Sequence, residues 1–473
     1  PGMVHAVVVR APVAGAKLLS VDKTEAQNAT GVSHVLDISS GIAVVADTYW
    51  HAKSAAAKLE PEWESVAMSQ VSSAHIRSDY ETAMANDEGT TTAEEGDLSV
   101  GFDAADSVVE GEFWAPYLAH APLEPMNAVL KIENGEADLW TGTQGPIAAQ
   151  GLIERVTDIP AEKIRVHSSF LGGGFGRRAT LTHVIEIAEV ATAVEKPVQL
   201  MWSREDDMKH GVYRPASLMK IKAGVSKDGQ ITAWDAKRAG GNITPTTLAN
   251  MIPAIFPNMP DSMGRWAKSM TDSIFGGWTV DFSSIEGLAD DYDLANRAVT
   301  HYTMDHGLPL TFWRSVGHSY TAFAKESIID ELAEKAGMDV VDFRLANTQN
   351  KPRLNNVIKV AGQRMREMDV ADGHHLGFAA HHSFATDVAE IAEVSVENGT
   401  IRVHKVVCVV DCGIAVTPDV VKAQMESSVM FGLTAALHGK IELENGAVKE
   451  SNFHDYPCLL YTSDAADEHR DVG

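Results

Sequence analysis

The sequence predicts an α+β fold. Three observations carry that prediction: four tight-turn dipeptides that join alternating apolar and polar runs, helical stretches interspersed among them, and the lack of strict strand–helix alternation. The dipeptides are Asn134-Gly135, Asp228-Gly229, Asn398-Gly399 and Asn445-Gly446, residue types that tolerate the positive φ of a two-residue hairpin turn. The third is the clearest, with 389–396 running into the turn and 401–411 leaving it. Long antiparallel strands are therefore expected.

In chain order, residues 1–75 read as an opening unit with strands at 4–10 and 41–46 and a helix at 52–59. Residues 69–97 are polar, acidic and rich in Ser, Thr and Gly, so a linker is expected at 76–97. A first region then spans 98–310, with a strand at 164–170, a glycine run, a helix at 182–195 and a strand at 198–202. Within it, 240–307 lacks clear periodicity and holds Pro, Met, Trp and Tyr in quantity. It reads as a long insertion that walls a site or is a structural excursion. A second region, 311–460, holds helices at 327–337 and 421–437. In the former, Ile328, Leu332 and Ala336 recur at four-residue spacing and Gly337 supplies a C-cap. The residues after Cys458 are unlike those before them. A non-native tail is expected at 461–473, with a natural polar terminus as the alternative.

Composition narrows the function classes. The 473 residues carry 39 Lys+Arg against 65 Asp+Glu, a net charge of −26, which repels a phosphate backbone and excludes nucleic acid as an expected partner. No run of about 18 apolar residues occurs, so no membrane-spanning helix is expected. Cys408, Cys412 and Cys458 are too few for a zinc ribbon or an iron–sulfur cluster, so any such cluster is expected on another chain. Buried, unreactive thiols are the expectation for all three.

The most informative segment is Leu171-Gly172-Gly173-Gly174-Phe175-Gly176-Arg177-Arg178, between a strand and a helix. Glycines there let backbone N–H groups approach an anionic or oxo-rich ligand, and the two arginines add charge. A tight structural turn is the alternative. A dinucleotide fingerprint would need glycine where Arg177 stands, and the Gly-Lys-Ser/Thr of a P-loop is absent. Gln144, after a strand end, is a cofactor contact or a turn brace. His120 and Glu124 lie four apart, but Pro122 and Pro125 argue against a helix, so local hydrogen bonding is expected. Adjacent histidines on a strand point to opposite faces, so His374-His375 and His381-His382 are not expected to form a metal site. No direct protein ligand to a metal is expected. Asp206 and Asp207 read as a solvated helix start.

Around the glycine loop lie, in order, His120-Ala121-Pro122-Leu123-Glu124-Pro125-Met126-Asn127-Ala128, Thr141-Gly142-Thr143-Gln144-Gly145-Pro146, Trp202-Ser203-Arg204-Glu205-Asp206-Asp207-Met208, Phe312-Trp313-Arg314-Ser315-Val316-Gly317-His318 and Val410-Asp411-Cys412-Gly413. In that order and spacing the set resembles the molybdenum-cofactor-binding large subunit of the xanthine dehydrogenase/aldehyde oxidase superfamily. It is most similar to the isoquinoline 1-oxidoreductase β-subunit type, which includes membrane-associated aldehyde dehydrogenases. The resemblance runs from about residue 1 to 460. It implies a "hammerhead" α+β unit at 1–75 followed by molybdenum-cofactor-binding α+β domains. It also implies a molybdenum-pyranopterin, as molybdopterin or its cytosine dinucleotide form. The implied chemistry is hydroxylation of an N-heteroaromatic ring, or oxidation of an aldehyde, with oxygen from water. Electrons then leave to [2Fe–2S] clusters on a small partner subunit, with a cytochrome c as a candidate acceptor.

Carried over by motif, Gly173, Gly174, Phe175 and Gly176 present their backbone to the cofactor, with Gln144 beside them and Arg314 as a fixed cation. Trp313 and Phe312 line an aromatic substrate slot or pack in the core. Tyr213 and Arg214 lie near the family's substrate-orienting arginine, one residue out of register. The resemblance also has gaps. Leu118 stands where xanthine dehydrogenases carry glutamine, Ala179 and Thr180 where many relatives carry glutamate, and Val316 near a substrate-stacking phenylalanine. Purine is therefore a poor candidate substrate. No Gly-Gln-Gly occurs, and the family's catalytic glutamate falls beyond the region of similarity. The chain is expected to be the middle of a larger subunit, inactive alone. The family's periplasmic or membrane-associated location is the expectation, with the cytoplasm as the alternative. A catalytically silent subunit of the same fold and a nucleotide-binding loop are the competing readings.

Overall fold

A computed structural model describes residues 2–86, 89–244, 247 and 281–459. All four dipeptides turn hairpins, joining Asn127–Glu133 to Glu136–Thr141, Ser217–Val225 to Ile231–Gly240, Thr386–Glu397 to Thr400–Asp411, and Leu443–Glu444 to Ala447–Val448. Asn134, Asn398 and Asn445 sit at φ 54°, 52° and 51°, each followed by a positive-φ glycine, as a type I′ turn requires. At the second turn only Gly229 is positive, and the ladder slips at Gly224/Val225.

A seven-stranded sheet runs, in spatial order, Ile164–Ser168, Glu136–Thr141, Asn127–Glu133, Val198–Met201, Val4–Arg10, Gly41–Ala46 and Val32–Ile38. Helices Pro146–Thr157 and Thr182–Val194 cover one face through Ala149, Leu152, Val184 and Ile187. Helix Tyr49–Ala56 covers the other face at its N-terminal strands, so Gly41–Ala46 is buried along its whole length. A strand covered on both sides reads as a continuous apolar run, as this one does.

A five-stranded sheet holds Thr90–Glu95, Arg297–Thr303, Ile231–Gly240, Ser217–Val225 and Ser107–Ala115. Helix His318–Ala336 lies on it, burying Ile328, Ile329 and Leu332 against Ile221 and Trp234. A three-stranded sheet, His375–Ser383, Thr386–Glu397 and Thr400–Asp411, carries helix Pro352–Glu367 on one face. Helix Pro418–Leu437 stands apart from this pattern, since Thr434 is its one buried residue. No helix among the described residues is long and apolar enough to cross a membrane.

Three expectations about organisation need correction. The linker at 76–97 is helix Ser73–Asn86 followed by strand Thr90–Glu95. Ile76, Tyr80 and Met84 form a four-spaced stripe buried against Tyr117 and Leu218. Each contributes about 1.5–3 kcal/mol, which outweighs the polar composition around them. The opening strands do not close a sheet of their own, because Val4–Arg10 pairs in parallel with Val198–Met201. The 240–307 insertion is not one excursion either, since Arg297–Thr303 is an inner strand paired with Ile231–Gly240. Residues 245–246 and 248–280 of that insertion, and the tail 461–473, lie outside the described residues.

Candidate functional site

The glycine run leaves strand Ile164–Ser168 and enters helix Thr182–Val194 through a short 3-10 turn. Its backbone is left-handed at Gly173 (φ 96°), Phe175 (56°) and Gly176 (103°). Glycine is required at 176, where a Cβ would sit 1.8 Å from the Phe312 carbonyl oxygen. Phe175 adopts such a φ without that freedom, a strain that persists only where neighbours over-determine it.

Those neighbours can be named. Gln144 Oε1 accepts from the Gly176 and Arg178 N–H groups at 3.2 and 3.3 Å. Arg178, fully buried, donates to the carbonyls of Gly173 (2.6 Å), Gly142 (3.3 Å) and Glu124 (2.8 Å), and to Glu124 Oε2 (2.7 Å). Glu124 Oε2 also takes the Gly172 N–H, at 2.9 Å. Partial burial pushes the Glu124 carboxyl up, but the donors Asn127, Gly172 and Arg178 outweigh it and hold the group below its ordinary range. Arg177 is buried as well, its Nε 2.8 Å from Asp207 Oδ1, with Arg204 on the other carboxylate oxygen at 3.0 Å. The two arginines are thus loop struts rather than ligand charges, a correction to their reading from sequence. Asp207 is correspondingly a buried counter-ion, while Asp206 does cap its helix through Ser203.

Arg314 lies two residues after Phe312, whose carbonyl oxygen crowds Gly176. Its Nη1 donates to Ser427 Oγ at 2.9 Å and its Nη2 to the Gln424 carbonyl at 2.9 Å, both on helix Pro418–Leu437. No carboxylate pairs with it among the described residues, and burial alone pulls its pKa down. The residues after it, Ser315 and Val316, sit at φ 67° and 52°, unusual above all for a β-branched side chain. Phe431 of the same helix lies flat between Phe175 (centroids 4.4 Å, 26°) and Trp313 (4.5 Å, 25°). Phe431 was not legible as a site residue, although Gln424, Ser427 and Phe431 recur at helical spacing on one face.

The remaining expected site residues divide. Phe312 faces the loop through its carbonyl, which also meets His120 Nε2 at 2.9 Å. Trp313 is buried, its Nε1 donating to the Ala119 carbonyl at 3.2 Å, so its ring is a core ring with one face on Phe431. Tyr213 and Arg214 are corrected to the core. Tyr213 is 1% exposed and donates to the Met208 carbonyl at 2.6 Å, and burial raises its phenol pKa. Arg214 is 4% exposed between the rings of Trp313 and Tyr320, and burial lowers its pKa to about 10. His120 does hydrogen-bond, but across the fold to Val212 and Phe312 rather than locally, and burial pushes its pKa down to about 4.

The paired histidines go separate ways. His381 joins His318 (2.8 Å) and Asp291, His382 pairs with Asp387 (2.8 Å), and His374 pairs with Glu393 (2.6 Å). The cysteines are half-buried rather than buried. Burial, with Glu390 beside it, pushes the Cys408 thiol up to about 12.

A half-buried cation without a counter-charge among the described residues, packed against the same helix as a loop with three consecutive glycines braced from behind, fits an anionic, oxygen-rich group. The chain matches the molybdopterin cofactor-binding domain family over residues 80–253 and a second family of that description over 317–462. It is 31% identical to the beta subunit of isoquinoline 1-oxidoreductase from Brevundimonas diminuta, over 97% of this chain and 58% of that protein. Against the membrane-bound aldehyde dehydrogenase of Gluconacetobacter polyoxogenes the identity is 26%, over 94% of this chain and 60% of that protein. The chain therefore spans a little over half the length of these relatives. Quinoline 2-oxidoreductase from Pseudomonas putida 86 shares the fold with a TM-score of 0.77 at 15% identity, over 98% of this chain and 86% of that one.

Proposed function

Because the chain belongs to the xanthine dehydrogenase/aldehyde oxidase family, with two molybdopterin cofactor-binding domains in tandem, we propose that the protein hydroxylates an N-heteroaromatic ring, or oxidises an aldehyde, with oxygen drawn from water. The observation that carries this reading is that the 173–176 loop and Arg314, a cation with no carboxylate partner among the described residues, both pack against helix Pro418–Leu437. A bound molybdenum-pyranopterin supplies the two-electron redox chemistry.

The chain's own residues hold and orient. Backbone N–H groups at Gly173, Gly174 and Phe175 would form the cradle, while Gln144 sets its shape by accepting the Gly176 and Arg178 N–H groups. The Arg314 guanidinium, half-buried and fixed by Gln424 and Ser427, would favour negative charge on a bound oxygen. Phe312 offers the aromatic edge available to a flat substrate. A small partner subunit with [2Fe–2S] centres, and a cytochrome c as the acceptor beyond it, are part of the same proposal, the three cysteines here being fewer than the four ligands a cluster takes. The cofactor is either molybdopterin or its cytosine dinucleotide form, and the location we favour is periplasmic or membrane-associated.

The test is turnover of quinoline-type heterocycles and aromatic aldehydes in H2(18)O with an artificial electron acceptor. Label from water in the product is expected. A molybdenum-loaded protein that turns over neither class would support the catalytically silent reading instead.

A further inference from the structure

Helix Pro418–Leu437 is lightly held for its length, with Thr434 alone buried, yet it meets both halves of the candidate site. Its Phe431 ring is the middle layer of a three-ring stack whose outer layers are Phe175, on the cofactor loop, and Trp313, next to Arg314. Each outer layer adjoins left-handed, non-glycine backbone: Phe175 itself on one side, Ser315 and Val316 on the other. Such backbone relaxes unless it is held from outside, and no other ring stacks on Phe175 among the described residues. One and two turns before Phe431, Ser427 and Gln424 bond the Arg314 guanidinium, whose carbon lies 6.0 Å from the Phe431 ring centre.

We propose that Phe431 is a positioning residue, which by stacking between Phe175 and Trp313 sets the spacing between the cofactor loop and Arg314. The proposal rests on the molybdopterin reading above and goes beyond it by giving helix Pro418–Leu437 a role in retaining and orienting the cofactor. In this role Phe431 requires no contact with the reacting atoms. It acts through the two backbones it separates, so its loss shifts both walls of the site relative to each other. Ring-on-ring contacts of this kind convert to roughly a factor of ten when one is lost and its partner relaxes.

The experiment uses the full-length protein with its partner subunit and compares Phe431→Leu, Phe431→Tyr and Thr434→Val with the wild type. Molybdenum and pterin per chain are measured, with kcat and KM separately and the paramagnetic molybdenum signal of the partly reduced protein. Phe431→Leu is expected to lose about tenfold in molybdenum content or in kcat, with a shifted molybdenum signal and unchanged overall fold by circular dichroism. Phe431→Tyr, which keeps the stack, is expected to restore both. Thr434→Val loosens the same helix without touching the stack and is expected to keep the wild-type signal. Equal losses in Phe431→Leu and Thr434→Val, or none in Phe431→Leu, overturn the positioning role while leaving the cofactor reading intact. A Phe431→Leu protein that does not fold is replaced by Phe431→Met, judged by the same criteria. Wild-type protein without molybdenum overturns the cofactor reading and this proposal with it.

Discussion

Replacing Gly176 by alanine tests the loop geometry most sharply. At φ 103° an L-residue is disfavoured by about 1–2 kcal/mol. The new Cβ would also stand 1.8 Å from the Phe312 carbonyl oxygen, roughly 1.7 Å closer than the ~3.5 Å at which contact becomes favourable. The obstacle is backbone, itself bonded to His120, so the loop has to retreat. Retreat weakens the Gln144 brace (3.2 Å) and the Phe175–Phe431 stack, each worth about 0.5–1.5 kcal/mol. The expected total is about 2–5 kcal/mol. Gly135→Ala is the matched control: its φ is 73° but nothing lies within 4 Å of the added carbon, so only the backbone cost of about 1–2 kcal/mol remains. Urea unfolding of both variants measures the difference, and molybdenum per chain reports on the site. If Gly176→Ala unfolds with Gly135→Ala and keeps its molybdenum, the account of the loop is wrong.

Two further predictions concern the struts and the buried histidines. Arg178→Met is expected to destabilise by about 3–5 kcal/mol by leaving Glu124 and three carbonyls short of donors, and Arg178→Lys to recover little, since a single ammonium cannot reach four acceptors. Equal urea midpoints for Arg178→Lys and wild type would contradict this. His120, His183 and His301 are buried and neutral, with pKa values pushed by desolvation to about 4, 3 and 3 against 6.5 in the unfolded chain. Below pH ~6.5 the unfolded chain takes up protons that the folded chain does not, so stability present above that pH is lost progressively down to pH ~4 for His120 and pH ~3 for His183 and His301. The slope reaches about 1.4 kcal/mol per pH unit for each. Urea midpoints at about pH 7.5, 6 and 5 should fall in that order, and a flat or rising series would refute the assignment of neutral imidazoles.

The readable parts of the fold were those written locally. Asn-Gly turns need only two residues to declare themselves, and the helix through Ile328, Leu332 and Ala336 needs one face. What the sequence hid depends on partners far along the chain. The parallel pairing of Val4–Ala6 with Val198–Leu200 merges the opening residues into a later sheet, and no local signal marks it. Ile76, Tyr80 and Met84 are too few to outvote their polar neighbours until Tyr117 and Leu218 are seen beside them. At the site, the glycine loop, Gln144 and Arg314 were legible as motifs. Arg177 and Arg178 looked like charges for a ligand because their acids, Asp207 and Glu124, lie 30 and 54 residues away. Phe431 was invisible for the same reason, its partners lying 256 and 118 residues before it (431 − 175 and 431 − 313).

The central claim is that the loop at 173–176 and Arg314 hold a molybdenum-pyranopterin, and its most direct test is the metal and pterin content of the full-length protein purified from molybdate-supplied cells. About one molybdenum and one pyranopterin per chain are expected, both falling sharply in Gly176→Ala and little changed in Gly135→Ala. Folded wild-type protein carrying neither, or carrying both with Gly176→Ala fully loaded, would contradict it.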